Sequence, residues 1–359
     1  MSRGTEAIIS LDALQHNYAL VRQYAPNSRV LCVVKADAYG HGLVPVAKAL
    51  RQSDAFGVAT MDEALALREA GISQPIVLME GVMKPAELDI ACQKRFQIVV
   101  HQEWQLNMLL QRSLATALTV WLKIDTGMHR LGVDCDHAQS YLEQLKASQN
   151  VKQVVLMSHL ACADEPRHPL TESQHGLFDQ MVLESGCDEA SLANSAAILG
   201  GTHLHYQWVR PGLMLYGGSP LGPVGAADLR LRPVMQLVSK VIALNTVGPG
   251  ESVGYGGSWV AKKTTDVAVV AIGYGDGYPR HVNDQACVLI EGELCPVIGP
   301  VSMDMITVDV SKVPQVKVDS DVVLWGDGLG VEQVAQWANT INYELLCQVT
   351  GRVQRRYIS

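Results

Sequence analysis

No apolar run in this chain approaches the roughly 18 residues that a membrane span requires. No apolar stretch follows Met1-Ser2-Arg3-Gly4-Thr5-Glu6, as a secretory leader would need. Basic residues fall short of acidic ones, 28 against 36, and the formal charge of −8 argues against nucleic acid or an anionic membrane as the main partner. The eight cysteines include no C-x-x-C pair. Cys32, Cys287 and Cys347 lie in apolar runs, so the expectation is reduced core thiols in a cytoplasmic protein, with neither disulfides nor a metal site. Internal repeats, low-complexity tracts and long linkers are missing too.

What is present is a substantial core: 48% of the 359 residues are hydrophobic and 18% charged, as in a soluble globular protein. Eight short apolar runs alternate with helical patterns: Val30–Val34, Ala55–Ala59, Ile76–Met79, Gln97–Val100, Leu118–Ile124, Val154–Ser158, Ala190–Ala193 and Gln207–Val209. Helices are expected at Leu43–Leu50, Met61–Ala70, Pro85–Lys94, Glu103–Gln111, Asp136–Ala147 and Thr171–Leu183. Thr60 and Glu63 spell a capping box before the second of these, and Gly71 closes it. This is the pattern of an α/β fold, a (β/α)8 TIM barrel over residues 11–231 rather than an open doubly wound sheet. Its seventh and eighth helices are short or unclear. After Arg232-Pro233 the texture changes to short strands between glycine-rich turns, the mark of a mostly antiparallel β domain over 232–359. The strand within residues 1–10 is expected to join it. Gly248-Pro249-Gly250 and Gly326-Asp327-Gly328 read as plain turns.

Barrel enzymes draw their reacting groups from the C-terminal ends of the strands. Here strand one exits into Lys35, strand five into Asp125-Thr126-Gly127-Met128-His129-Arg130, strand six at His159, strand seven at Asn194-Ser195, and strand eight at Arg210-Pro211-Gly212. Five polar exits on one rim favour an active site. A lysine ending a buried strand is partly desolvated, a setting that favours the neutral amine needed to form a Schiff base. Ser195 and the Gly212-Leu213 backbone follow the strands after which barrels commonly bind phosphate. Schiff base and phosphate together suggest pyridoxal 5′-phosphate. Arg210 would face its ring, and an arginine cannot surrender its proton, so the ring nitrogen opposite would stay an acceptor. That arrangement favours simple proton transfer.

The segment Val34-Lys35-Ala36-Asp37-Ala38-Tyr39-Gly40-His41-Gly42 resembles the cofactor-lysine motif of alanine racemases, and the likeness runs through the chain. It continues in Lys123–Gly132, Val209-Arg210-Pro211-Gly212, Val253-Gly254-Tyr255-Gly256, Gly273-Tyr274-Gly275-Asp276-Gly277 and Met303-Asp304. The resemblance implies a head-to-tail homodimer with shared sites that interconverts L-alanine and D-alanine, for cell-wall peptidoglycan or in catabolism. It also implies roles. Lys35 holds the cofactor and takes the α-proton from one face, and Tyr255 of the other subunit serves the opposite face. Arg210 contacts the ring nitrogen, with His159 behind it. Tyr39, Ser195, Gly212, Leu213 and Tyr343 surround the phosphate, with Asn194 beside them. Arg130 and the partner's Met303 backbone take the substrate carboxylate; Lys123, Asp304 and Tyr274 support them, and Lys123 matches a lysine carbamylated in some members. One departure is Pro300, where the family usually carries arginine. The alternatives are a broad-specificity amino-acid racemase and a non-catalytic pyridoxal-phosphate carrier; the residues beyond the barrel, Tyr255 among them, speak against the carrier.

Overall fold

Eight parallel strands close on themselves in the computed structural model, which describes residues 3–165, 167–222 and 224–359. Met1 and Ser2, at the head of the expected N-terminal strand, lie outside those residues. The barrel strands are Arg29–Val33, Ala55–Val58, Ile76–Leu78, Phe96–Val100, Leu118–Asp125, Val151–Met157, Ala190–Ser191 and Trp208–Val209. Each pairs in parallel with the next, and Trp208–Val209 returns to Arg29–Val33. This is the expected (β/α)8 barrel. Strand ends differ from the sequence reading by at most three residues, because turns, rather than apolar content, stop the ladder.

Alternation along each strand sends one set of side chains inward. Leu31, Val33, Ala55, Val77, Val99, Trp121, Val155, Met157 and Trp208 fill the barrel interior. Trp121 and Trp208 contact each other with ring centroids 5.5 Å apart. Their indole N–H groups donate to Gln97 Oε1 and Glu189 Oε2, both at 2.7 Å. The interior is therefore a packed plug that separates the C-terminal rim from the opposite end of the barrel.

The helices fall where periodicity puts them, with small end shifts, and the Thr60–Glu63 capping box forms. Besides the short segment Lys35–Tyr39, two helices have no counterpart in the sequence reading: Leu11–Tyr24 and Asn342–Gln348. The first explains the weak eighth unit. After the seventh strand the helix is only Ser195–Gly200, and after the eighth comes a single 3-10 turn, Leu213–Tyr216. Helix Leu11–Tyr24 packs on that turn and fills the place of the eighth helix. Asn17 locks it there, donating through Nδ2 to Leu215 O (3.1 Å) and Arg232 O (2.8 Å).

The second sheet is a ring of antiparallel pairs through Met235–Val247, Thr265–Val270, Ile306–Asp309, Glu293–Ile298, Cys287–Ile290 and Asp321–Trp325, back to the first. Strand Glu6–Ser10 joins it antiparallel to Met235–Val247 and runs parallel to Gln354–Ile358. Among the described residues, no helix is long and apolar enough to cross a membrane.

All eight cysteines are free, and Cys32 is buried as expected. Cys287 is only half-buried and Cys347 is exposed, which corrects their assignment to the core.

Candidate active site

The inward series of the barrel strands continue, two residues at a time, into the mouth. Leu31 and Val33 lead to Lys35, Trp121 to Lys123, Val155 and Met157 to His159, and Trp208 to Arg210. The apolar members are interior, and the polar ones line a cavity of about 490 Å³ at the C-terminal rim. Tyr39, Arg130, Asn194, Ser195, Gly212, Leu213 and Tyr343 also line it. A second cavity, about 570 Å³, lies between the 217–233 and 326–336 segments, but no lysine, arginine or histidine faces it. The barrel mouth, by contrast, gathers Lys35, Lys123, Arg130 and Arg210.

Lys35 is half-buried and opens an unusual turn. Ala36, Asp37, Ala38 and Tyr39 all have φ of 53–54°. A left-handed backbone costs an L-residue roughly 1–2 kcal/mol, and it normally occurs at single positions. The turn carries its own hydrogen bonds: Ala38 N–H donates to Val34 O and Gly40 N–H to Ala36 O, both at 2.9 Å. Gly40, at φ 78°, must be glycine, since a Cβ there would sit 2.1 Å from Leu346 O. Burial lowers His41 to about 4, leaving a neutral ring whose Nδ1–H donates to Tyr39 O at 2.8 Å.

Arg210 is 2% exposed. Its Nη1 donates to Ser191 Oγ (2.6 Å), and Nη2 donates to Ser158 O (2.6 Å), Leu192 O (3.2 Å) and His159 Nδ1 (3.3 Å). Burial lowers it to about 10, so it remains a cation at neutral pH. Its Nε–H has no partner among the described residues. A buried donor of this kind calls for an acceptor, and a pyridine nitrogen is one. His159 is held well below its ordinary range by burial and by the charges of Arg210 and Lys123, so it is a neutral acceptor. Lys123 is 8% exposed; burial, then Arg210, Arg130 and Lys35, lower it to about 8.

The opposite wall is a set of donors. Ser195 Oγ accepts the N–H of Gly212 at 2.9 Å, leaving its own hydroxyl proton free to turn toward a ligand. Asn194 caps the short helix, accepting Ala197 N–H at 3.0 Å. The Tyr39 hydroxyl leans over Gly212, where a Cβ would lie 2.4 Å from it. Burial raises the Tyr39 phenol, and pushes Tyr343 up to about 12, so both keep their protons as donors. Three hydroxyls and a bare glycine backbone suit a phosphate. An amine, an unpartnered guanidinium N–H and this cradle together fit pyridoxal 5′-phosphate.

Tyr255, Tyr274, Met303 and Asp304 do not line this cavity. They lie in the β domain, with Tyr255 75% and Met303 52% exposed. Gly273-Tyr274-Gly275-Asp276-Gly277 forms the frame of the Met303 loop: Tyr274 N–H donates to Ser302 O (3.1 Å) and Gly275 N–H to Met303 O (2.9 Å). Asp276, buried, accepts Gly273 N–H at 3.0 Å and lies 3.3 Å from both Arg3 and Arg352. Asp304 accepts from Arg352 at 2.6 Å. Pro300 abuts the turn that presents Tyr255, because a Cβ on Gly254 would meet Pro300 Cδ at 2.9 Å.

Sequence reasoning passed over several members of the wall, Glu80 and Cys347 among them. Cys347 lines the cavity one helical turn after Tyr343, and that spacing was the available signal. Asp125, at the fifth exit, turns inward on its own loop, its Oδ1 accepting the N–H groups of Gly127, Met128 and His129 at 2.9–3.0 Å.

Residues 9–220 match the family model described as alanine racemase, N-terminal domain, and residues 234–357 match alanine racemase, C-terminal domain. An alanine racemase of Vibrio parahaemolyticus is 47% identical over 357 residues, covering 99% of both chains. Another, of Nitrosococcus oceani, is 47% identical over 351 residues, 98% of each. Among solved structures, the biosynthetic alanine racemase from Pseudomonas aeruginosa superposes with a TM-score of 0.97 at 44% identity, covering 99% of this chain and 100% of its own. That from Acinetobacter baumannii gives 0.95 at 43% identity, with 99% and 100% covered.

Proposed function

The chain belongs to the alanine racemase family, and from that we infer that it interconverts L-alanine and D-alanine with pyridoxal 5′-phosphate. It is an isomerase. The observation that carries the reading is the unpartnered Nε–H of Arg210 in the same cavity as Lys35, with the hydroxyls of Tyr39, Ser195 and Tyr343 on its wall. Tyr39, Ser195, Gly212, Leu213 and Tyr343, with Asn194 beside them, would hold the phosphate, and Lys35 the aldehyde carbon. When bound, the cofactor withdraws electrons from the amino acid joined to it and makes its α-C–H acidic.

The chain's own groups then decide the outcome. Arg210 keeps its proton and offers a donor to the ring nitrogen, which limits electron withdrawal to what proton transfer needs. His159, neutral, accepts from Arg210 and keeps the guanidinium turned. Lys35 Nζ would remove or return the proton at Cα on one face. Tyr255 would do so on the other, from a second copy of the chain, since its exposed position in the β domain keeps it out of its own barrel mouth. Arg130 and the backbone at Met303 of that second copy would bind the carboxylate, with Lys123, Tyr274 and Asp304 in support. A homodimer with shared sites is thus part of the proposal. So are a barrel over 11–231, a β domain over 232–359 with the strand within 1–10, and a cytoplasmic setting, which the free thiols support. The product would feed cell-wall peptidoglycan or the amino acid would be consumed in catabolism.

Optical rotation tests the reading directly. Purified protein with pyridoxal phosphate should bring L-alanine and D-alanine to the same racemic endpoint. A panel of other amino acids should react far more slowly; equal rates would favour the broad-specificity racemase instead.

A further inference from the structure

We propose that Glu63 and Arg355 are positioning residues that hold the Lys35–Gly42 turn in its left-handed form. The inference rests on the reading of Lys35 and Tyr39 as cofactor contacts. Four successive L-residues at positive φ do not persist on their own hydrogen bonds, because an ordinary right-handed turn makes the same bonds without the Cβ clash. Something outside the turn has to select the other hand.

Glu63 is one such group. Its Oε2 accepts the N–H of Ala59 (2.9 Å) and of Thr60 (3.3 Å), which fixes the carboxylate at the end of the second barrel strand. Its Oε1 accepts the N–H of Ala36 at 2.7 Å, the first amide of the left-handed run. The capping box read from the sequence accounts for only one of those oxygens. The other ties the exit of strand two to the exit of strand one.

Arg355 is the second. It belongs to the last strand of the β domain, and its side chain is 17% exposed. Nε donates to Gly40 O at 2.7 Å, at the end of the run, and lies 3.9 Å from Asp37 Oδ2 within it. Nη2 donates to Val349 O at 3.0 Å, which anchors the guanidinium to the segment after helix Asn342–Gln348. Asp37 in turn accepts Leu43 N–H at 2.7 Å. The turn is held at its start from one side and at its end from the other, by groups 292 positions apart in a single chain.

A purely structural account of these residues exists: Glu63 as a helix cap, Arg355 as a strap between domains. Glycine separates the two accounts. It adopts positive φ without a Cβ penalty, so Ala36→Gly should compensate for a lost clamp but cannot mend a frayed helix or a loosened domain. The measurement is the rate at which holoenzyme loses pyridoxal phosphate on exchange into cofactor-free buffer, followed by visible absorbance.

Glu63→Ala and Arg355→Met should each release cofactor about tenfold faster, the effect of one lost charge-assisted hydrogen bond. Arg355→Lys should lie between. Adding Ala36→Gly should return either variant to within about threefold of the starting rate. Release at the wild-type rate in both single variants, or failure of Ala36→Gly to slow it, overturns the assignment. Should the clamp variants not fold, Ala36→Gly alone decides: Ala36 is exposed, so the substitution should leave the melting temperature unchanged or higher. A lower one sinks the proposal. A wild-type protein that binds no pyridoxal phosphate would instead refute the cofactor reading beneath it.

Discussion

Arg210 donates from Nη2 to Nδ1 of His159 at 3.3 Å, so the imidazole works as an acceptor and must stay neutral. A pH prediction follows. His41 and His159 both have folded values below their ordinary one, chiefly through burial. Above about pH 6.5 neither state binds the proton, and stability is unaffected. As pH falls below it, the unfolded chain takes up protons that the native state refuses, and stability drops by up to roughly 1.4 kcal/mol per pH unit for each histidine. For His41 the loss continues down to about pH 4, its folded value. Urea unfolding of His41→Gln should match the wild-type pH dependence above 6.5 and show a shallower decline below it; identical curves throughout would contradict the neutral assignment.

Chemical trapping tests Lys35. The purified protein should be yellow, and borohydride should fix the cofactor covalently to the peptide carrying Lys35. An adduct found on Lys123 instead, whose amine is lowered to about 8 chiefly by burial, would reassign the site. Lys35→Ala should bind cofactor loosely and lose racemisation.

The Tyr39 hydroxyl leaves no space for a side chain at Gly212, since a Cβ would lie 2.4 Å away. Gly212→Ala should therefore displace the phenol from the cradle and raise the dissociation constant for pyridoxal phosphate by roughly tenfold or more, the loss of one good hydrogen bond to a charged group. The fold should hold, because the alanine methyl meets the far end of a side chain rather than backbone. Fluorescence titration with cofactor reads the outcome, and unchanged affinity would remove Tyr39 from the phosphate site.

Mixed dimers test the shared site. Lys35→Ala and Tyr255→Phe should each be nearly inactive alone. Unfolded and refolded together, half the dimers should be hybrids, each with one site free of both lesions, restoring roughly a quarter of wild-type activity. If Tyr255 serves its own chain, every site keeps a lesion and mixing restores nothing.

The barrel was legible because buried parallel strands write uninterrupted apolar runs, as Val30–Val34 does, and because alternation carries the inward series on to Lys35, Lys123, His159 and Arg210. Helix Leu11–Tyr24 was not, because it precedes its first strand and reads as the start of a chain rather than the eighth unit of a barrel. The left-handed run was hidden for a different reason. Alanine and tyrosine carry no positive-φ signature and aspartate only a modest one, so the conformation comes from Glu63 and Arg355, far away in the sequence, and local propensity predicts the opposite hand. Cys347 was misplaced into the core because Leu345-Leu346 beside it are buried, while its own position faces the cavity.

The pairing of Glu6–Ser10 with Gln354–Ile358, residue beside residue, also sets a timetable. A ribosome releases the first strand long before either of its neighbours exists, Met235–Val247 on one edge and the final strand on the other. During that interval the nascent chain holds an open edge while the barrel behind it can already fold. The clamp from Arg355 becomes available only when that same strand is made. A chain cut short before Gln354 would leave translation with a barrel, yet without the residue that ties the lysine-bearing turn to its β domain. Catalytic competence thus waits on a residue translated 320 positions after the lysine whose turn it holds.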